Sequence, residues 1–164
     1  MLNLINEAEY KNIPKNVLLQ CKGYPKYGLY IYGGIGVGKT YTSIAIGKHF
    51  GKFLYKKVSD IVRDVRACKT ALDEYEYINK IVNQRHLIID DIGVEKLTEF
   101  SYSVVYEVLD KRTLYNPEAL IINSNLSISE LAKVYDDRIA SRIAGICKLV
   151  KIEGKDRRIN KENI

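Results

Sequence analysis

The sequence predicts an α/β fold in which a five-stranded parallel sheet is covered by helices on both faces. Short apolar segments of strand length alternate along the chain with segments whose apolar residues recur at helical spacing. A glycine-rich run follows the first strand and leads directly into a helix. Because parallel strands are joined by helical crossovers, this alternation predicts a sheet that is buried on both sides.

Five strands and the helices between them follow in chain order. The strands are predicted at residues 27–32, 53–58, 86–90, 119–123 and 147–152. Helices are predicted from the glycine-rich run to about residue 49, around 61–65, over 72–82, over 100–109, from 127 onward and from near 136 to 145. Ser59 is the expected cap of the second helix, and Ser127 with Glu130 forms a capping box that opens the fifth.

Length and composition indicate a globular protein of one domain. The 164 residues are enough to bury a core. We expect an N-terminal arm over residues 1–26 and a single domain over residues 27–164. The apolar runs are too short to cross a bilayer, and the N-terminus lacks the basic and apolar regions of a signal peptide. We therefore expect a cytoplasmic protein with no membrane partner. Three singly scattered cysteines are typical of buried thiols in a reducing compartment: Cys21, Cys68 and Cys147.

The charge of the chain favours a polyanionic partner. The net charge is +6, and the sequence pI is about 9.1. Basic residues crowd the C-terminal end, at Lys148, Lys151, Lys155, Arg157, Arg158 and Lys161. A solvated positive surface without a specific partner is an equally good interpretation of these numbers, because net charge alone specifies little.

The glycine-rich run has the pattern of a phosphate-binding loop. It consists of Gly33, Gly34, Ile35, Gly36, Val37, Gly38, Lys39 and Thr40, and we expect these residues and Tyr41, which follows them, to bind the nucleotide. Glycines let successive backbone N–H groups turn toward a polyphosphate, and the following helix adds its positive N-terminal end. Lys39 is expected to reach the β- and γ-phosphates of ATP or ADP, and the Thr40 hydroxyl to hold Mg²⁺. A glycine-rich turn can also be only a turn, but its place between a strand and a helix favours phosphate binding.

A second half of the same site is predicted at the end of the third strand. Asp90 and Asp91 follow the apolar residues 87–89. Asp90 is expected to hold Mg²⁺ directly or through water, and Asp91 to orient or deprotonate an attacking water molecule. An acidic turn is the alternative, but the nearby phosphate loop favours a metal–nucleotide site.

Amide and guanidinium groups follow in the last third of the chain. Asn125, with Asn123 as second choice, is expected to sense the γ-phosphate, although such residues also serve turns alone. Arg138 and Arg142 are four residues apart and share a helical face. An arginine held on a packed helix can reach the nucleotide site of another subunit, whereas an intrahelical pair with Asp136 or Asp137 is the alternative.

Together, these segments resemble the DnaC/DnaI/IstB family of AAA+ ATPases, the bacterial and phage helicase loaders and their transposition relatives. The resemblance extends from about Ile13 to Arg158 and is carried by residues 28–40, 87–93, 121–127 and 137–143. It implies a three-layer P-loop NTPase fold of the AAA+ (ASCE) type, with the AAA+ ATPase domain over residues 27–164.

The resemblance also implies roles for individual residues. It implies ATP binding by the phosphate loop, a Walker B role for Asp90 and Asp91, sensor one at Asn125 and a trans-acting arginine finger at Arg142. Arg157 or Arg158 resembles a second sensor. The two helices between residues 59 and 84 fall where related initiators carry an insertion near the path of single-stranded DNA.

The function that follows is a slow, partner-stimulated ATPase of DNA replication, of the helicase-loader type. Its implied partners are a replicative helicase, single-stranded DNA and further copies of itself through Arg142. Three alternatives stay open: an IstB-like transposition helper ATPase, a small-molecule P-loop kinase, and a nucleotide-gated interaction module with little hydrolysis.

Overall fold

The computed structural model describes residues 2–115 and 118–157, and it contains the predicted parallel sheet. The strands are β1 (Gly28–Tyr32), β2 (Leu54–Lys57), β3 (Leu87–Ile92), β4 (Leu120–Ser124) and β5 (Cys147–Lys151). Their order in the sheet is β2-β3-β4-β1-β5, and all neighbours are parallel. This order places β4 between β1 and β3, so that the segments following these three parallel strands meet at one edge.

Helices separate the strands, as the sequence predicts, and two further helices form in the N-terminal arm. They are α1 (Leu2–Glu7), α2 (Lys15–Gln20), α3 (Lys39–Phe50), α4 (Val58–Arg66), α5 (Ala71–Val82), α6 (Glu99–Tyr115), α7 (Ile128–Val134) and α8 (Asp137–Ile146), with a 3₁₀ turn at Tyr10–Asn12. Within the described ranges, no helix combines the length and the apolar character that crossing a bilayer requires.

The sheet is the middle layer of three, which confirms the predicted fold class. Alternate strand residues point to opposite faces, as in any strand. Leu87 and Ile89 belong to the apolar cluster that includes residues of α4 to α8, whereas Ile88, between them, belongs to the cluster of α3 and the N-terminal arm. Both faces of the sheet are therefore apolar. This explains why the strand sequences are continuous apolar runs and do not alternate between apolar and polar residues.

The N-terminal arm packs against α3. Its buried residues, which belong to the same apolar cluster as α3, are Ala8, Ile13, Val17, Cys21 and Tyr24. The Lys48 ammonium donates to the backbone oxygens of Ile5 (2.8 Å) and Ala8 (2.9 Å), at the C-terminal end of α1. A cation is favourable at this position because the C-terminal carbonyls of a helix carry partial negative charge.

Element boundaries differ from the sequence prediction in two places that bear on the site. Ser59 is not a helix cap: α4 begins at Val58, with Lys57 as its N-cap residue. Helix formation starts early because Val58 is buried together with Ile61 and Val65, on one face of α4. Strand β3 continues through both aspartates to Ile92, whose backbone oxygen accepts a hydrogen bond from Ser124. The predicted capping box of Ser127 and Glu130 is present.

A fully buried arginine joins the segments that enter β3 and β4, at the amino end of these strands. Arg112, on α6, donates to the backbone oxygens of Val82 (2.6 Å), Gln84 (2.6 Å), Arg85 (3.2 Å) and Glu118 (2.7 Å). Burial lowers the pKa of its guanidinium to about 10. The four carbonyls belong to the end of α5 and to the segments that enter β3 and β4, so one side chain holds three parts of the chain together.

Candidate functional site

The loop after β1, the ends of β2 and β3 and the residue after β4 line a cleft at the carboxyl edge of the sheet. The cleft has a volume of about 610 Å³, within the range of small-molecule sites. Its lining includes most of the phosphate loop, both aspartates and Asn125, together with Tyr41, Tyr55, Lys57 and Arg157. Ligands of open α/β sheets bind at this edge, because adjacent strands there lead into separate loops.

The phosphate loop is anchored by the segment that follows β5. Gly33 has φ of 151°, and a Cβ placed on it would lie 2.1 Å from the backbone oxygen of Ile152. Gly38 has φ of 102° and directly precedes α3 as its N-cap. The Arg157 N–H donates to the Gly36 backbone oxygen at 3.0 Å. Glycine is therefore required at these turns by conformation and by close approach, as a phosphate loop needs.

Lys39 and Asn125 meet at the centre of the loop. Lys39 is 8% exposed, and its Nζ lies 2.8 Å from the oxygen of Gly33, 2.6 Å from that of Gly34 and 2.7 Å from Asn125 Oδ1. These contacts hold the ammonium at the centre of the glycine-rich loop. Asn125, the first candidate for a γ-phosphate sensor, lies at the same point although 86 residues separate it from Lys39.

Thr40 and Asp90 form the candidate metal site. The Thr40 Oγ1 lies 3.1 Å and 3.3 Å from the two carboxylate oxygens of Asp90, and Asp90 is only 2% exposed. A hydroxyl and a carboxylate are hard oxygen donors, which are the ligands that Mg²⁺ prefers. The chemistry of this pair fits Mg²⁺ at the edge of the cleft.

Tyr55, which no sequence motif singles out, and Asn123, the second choice for the sensor, both donate hydrogen bonds to Asp90. Tyr55, on β2, donates its hydroxyl to Oδ2, and the amide nitrogen of Asn123 donates to Oδ1 at 2.8 Å. Ser43 Oγ lies 2.5 Å from Asn123 Oδ1, so the amide is engaged at both ends. Asn123 is fully buried. It orients Asp90 and does not reach the cleft, which leaves Asn125 as the candidate sensor.

Asp91 points to a cation on the neighbouring strand. Its Oδ2 lies 2.7 Å from Lys57 Nζ, and the two side chains are 39% and 40% exposed. Hydrogen bonding to Asp91 raises the pKa of the Lys57 ammonium. Asp91 also has φ of 62°, a left-handed conformation that is uncommon for residues other than glycine. Both features stand at the mouth of the cleft, beside the candidate metal site.

Arg142 does not line the cleft and lies on a separate face of the domain. Its Nε lies 2.9 Å from Asp110 Oδ1, its Nη2 lies 2.7 Å from the Tyr106 hydroxyl, and its guanidinium stacks 4.4 Å from the centroid of that ring. The partner of Arg142 is thus on α6, and the alternative of an intrahelical pair with an aspartate of α8 is not what forms. Arg138 is exposed, and both arginines line a surface depression of about 650 Å³.

Two further sequence candidates lie next to the loop. The Tyr41 hydroxyl donates to the backbone oxygen of Glu7 at 3.2 Å, which ties the arm to the rim of the cleft. The Arg157 guanidinium lies 3.3 Å from the point where a Cβ on Gly38 would stand. Arg158, the other candidate for a second sensor, and Lys161 of the basic cluster lie outside the described residues.

Comparison with known proteins places this geometry in a family. Residues 26–163 match the family model of the IstB-like ATP binding protein. The replicative helicase loader DnaI of Bacillus subtilis is 27% identical over 147 residues, which cover 80% of this chain and 47% of that protein. An insertion sequence ATP-binding protein of Sinorhizobium fredii is 25% identical over 124 residues, which cover 73% of this chain and 41% of that protein. The chain therefore spans less than half the length of these relatives.

Solved structures confirm the fold. The crystal structure of the DnaC helicase loader has a TM-score of 0.76 to this structure at 20% identity, and the match covers 91% of this chain and 98% of that one. The fold is thus that of the AAA+ P-loop domains, as the motifs indicate. Because the family model covers most of the chain and its nucleotide-binding motifs meet in one cleft, the chain belongs to the family of IstB-like ATP binding proteins.

Proposed function

We propose that this protein hydrolyses ATP and acts in DNA replication as a helicase loader. The observation that carries the proposal is the meeting of Lys39, Thr40 and Asp90 in one cleft, with Lys39 Nζ at 2.7 Å from the Asn125 amide and Thr40 Oγ1 at 3.1 Å from the buried carboxylate. The cleft thus contains one cation for phosphate charge, two hard oxygen donors for a metal and one neutral amide. These are the kinds of group that phosphoryl transfer uses.

Each side chain has a role in the proposed reaction. Lys39 neutralises charge on the β- and γ-phosphates, and the backbone N–H groups of the loop orient them. Asn125 contacts the γ-phosphate. Thr40 and Asp90 hold Mg²⁺, which when bound neutralises phosphate charge as the bond to the leaving group breaks. Asp91 positions the attacking water once its carboxylate turns from Lys57 toward the cleft.

Arg142 completes the site of a neighbouring subunit in this proposal. Its own subunit fixes it through Asp110 and Tyr106, and 27% of its side chain stays exposed. An arginine that is oriented in this way loses little freedom when it contacts a phosphate. Arg138, one helical turn away, adds positive charge to the same face.

The proposed partners are a replicative helicase and single-stranded DNA. The net charge of +6 and the name of the DnaI relative support them. Binding to DNA through backbone phosphates would weaken steeply as salt increases. We expect slow ATP turnover that these partners stimulate, in the cytoplasm where replication takes place.

The test is ATP turnover with and without single-stranded DNA, for the unaltered protein and for Arg142→Ala. We expect DNA to stimulate turnover and Arg142→Ala to abolish most of it. Mixing Arg142→Ala with Lys39→Ala restores activity if the arginine acts in trans, because each variant supplies what the other lacks. Arg85→Ala, which removes an exposed arginine far from the cleft, serves as the control. Turnover that is indifferent both to DNA and to Arg142→Ala contradicts the proposal.

A second candidate function is that of a transposition helper ATPase. It is favoured by the match to the IstB-like family model and by the similarity to an insertion sequence ATP-binding protein. The two functions differ in partner and not in chemistry. Capture of a purified hexameric helicase by the immobilised protein supports helicase loading, and capture of a transposase instead supports transposition.

A further inference from the structure

Both oxygens of the Asp90 carboxylate, which is proposed to hold Mg²⁺, accept hydrogen bonds. Asn123 Nδ2 donates to Oδ1 of Asp90 at 2.8 Å, and the Tyr55 hydroxyl donates to Oδ2. The Thr40 hydroxyl stands nearly equidistant from the two oxygens, at 3.1 Å and 3.3 Å. A carboxylate oxygen accepts more than one hydrogen bond or ligand. Each oxygen therefore keeps capacity on the side of Thr40, where the metal is proposed to bind.

The two residues that donate to Asp90 from β4 and β2, Asn123 and Tyr55, differ in burial and in their own contacts. Asn123 is fully buried on β4 and its amide oxygen is fixed by Ser43. Tyr55 is half-buried, lines the cleft and approaches Asp90 from the edge strand β2. Lys57 is the register partner of Asp90, so Tyr55, two residues earlier, lies on the same face of the sheet and reaches along the strand to the carboxylate.

We propose that Tyr55 is a positioning residue for Mg²⁺, acting through Asp90. Its hydroxyl keeps the carboxylate from rotating away from Thr40, so that a carboxylate oxygen faces the cation that accompanies the phosphates. The inference rests on the proposed binding of Mg²⁺–ATP, and it assigns to β2 a part in the site that the phosphate loop and the paired aspartates do not reveal.

Loss of the Tyr55 hydroxyl is expected to weaken the binding of Mg²⁺ and not the direct binding of the nucleotide. A Tyr55→Phe side chain fills the same space but removes one of the two hydroxyl donors to Oδ2, so the carboxylate is less well oriented. The Lys39 ammonium is held by the oxygens of Gly33, Gly34 and Asn125, so we expect its contribution and that of the loop amides to nucleotide affinity to stay unchanged. We therefore expect a loss of the Mg²⁺-dependent part of nucleotide affinity and no loss of the part that is measured without metal.

The experiment measures the affinity for AMPPCP, a non-hydrolysable ATP analogue, by calorimetry in excess Mg²⁺ and again in EDTA. The ratio of the two dissociation constants gives the contribution of the metal. We expect Tyr55→Phe to reduce this ratio about tenfold, as for loss of a hydrogen bond to a charged group, with the affinity in EDTA unchanged. Tyr77→Phe is the matched control, because the Tyr77 hydroxyl also donates to a carboxylate, Asp64 Oδ2 at 2.6 Å, away from the cleft.

A double-mutant cycle tests that Tyr55 acts through Asp90. In an Asp90→Asn background, Tyr55→Phe is expected to change the ratio no further. Tyr55→Met also lacks the donor, fills the space with a flexible side chain and provides the same comparison if Tyr55→Phe does not fold. A ratio that is unchanged in the folded Tyr55 variant, while the unaltered protein shows a clear Mg²⁺ dependence, overturns the inference. Absence of any Mg²⁺–AMPPCP binding by the unaltered protein instead overturns the proposed function.

Discussion

The Lys57 ammonium lies 2.7 Å from the Asp91 carboxylate, across the ends of two adjacent strands at the mouth of the candidate nucleotide cleft. Asp91 is the carboxylate proposed to position the attacking water, and in this arrangement a cation of the same chain holds it. Lys57 is also the N-cap residue of α4, the first of the two helices inserted between β2 and β3. The position of the proposed water-activating group is thus tied to the start of that helix.

Removal of the Lys57 ammonium is expected to increase basal ATP turnover. In Lys57→Met, Asp91 loses its competing partner and turns toward the cleft more often. Ion pairs that are exposed to this degree contribute about 0.2–1 kcal/mol, so the increase is expected to be at most about fivefold. Steady-state phosphate release measures it. Lys56→Met is the control, since Lys56 pairs with Asp64 at 2.8 Å, outside the cleft. A decrease in turnover would show that Lys57 assists the reaction.

Two neighbouring glycines of the phosphate loop should respond differently to a methyl group. A Cβ at Gly33 meets the Ile152 oxygen at 2.1 Å, whereas a Cβ at Gly34 meets nothing closer than 3.7 Å. We expect Gly33→Ala to lower the free energy of unfolding by about 2–3 kcal/mol, through strain and the displaced strand end, and to weaken ATP binding. Gly34→Ala is expected to change stability by less than about 0.5 kcal/mol. Urea unfolding compares the two, and equal destabilisation would contradict the anchoring of the loop by the segment after β5.

The buried Arg112 is expected to be essential for stability and not for chemistry. Arg112→Met leaves four backbone oxygens without their donor, at the end of α5 and before β3 and β4. We expect a loss of about 3 kcal/mol in the free energy of unfolding, because buried acceptors without partners are costly. Arg85→Met, at an exposed position, should stay within about 0.5 kcal/mol. A small effect of Arg112→Met in chemical denaturation would mean that water replaces the guanidinium.

His86 is expected to make stability depend on pH below about 6.5. Burial and the nearby Arg85 and Arg112 lower the pKa of its imidazole, and the Tyr24 hydroxyl lies 3.0 Å from its Nδ1. A group whose pKa is lower in the folded state binds more protons when unfolded. Its neutral form is therefore compatible with the fold above the unfolded pKa, and stability is lost as pH falls through the lowered folded pKa.

Urea midpoints at about pH 7.5 and about pH 5.5 measure this loss, since histidine titrates in that window. We expect a clear decrease at the lower pH for the unaltered protein. In His86→Gln the decrease should be much smaller, because the uncharged amide does not titrate. An equal pH dependence in both proteins would assign the effect to other groups.

Local patterns predict much of the fold and the contiguous part of the site. The five strands, the capping box of Ser127 and the phosphate loop all depend on residues close together in the sequence. The helices of the N-terminal arm are not apparent from the pattern, because they are short and their apolar residues pack on α3 and on β5. The sequence does not predict the early start of α4 either, since Val58 by its side chain alone fits a strand as well as a helix.

Contacts between distant segments account for what the sequence does not reveal. Tyr55 reaches Asp90, Lys57 reaches Asp91, and Arg142 reaches Asp110 only because of the order of the strands and the packing of α6 on α8. No motif encodes strand order. The contact between Tyr55 and Asp90 becomes evident only from the register of β2 against β3, because that register places both residues on one face of the sheet.

The most direct test of the proposed site is calorimetric titration with ATP in the presence of Mg²⁺, for the unaltered protein and for Lys39→Ala. We expect one nucleotide to bind per chain, and we expect Lys39→Ala, with its fold verified by circular dichroism, to bind at least about tenfold more weakly, because a charge-assisted contact with phosphate is lost. Absence of binding by the folded, unaltered protein, or equal affinity of the Lys39→Ala variant, would contradict the assignment of the cleft as a nucleotide site.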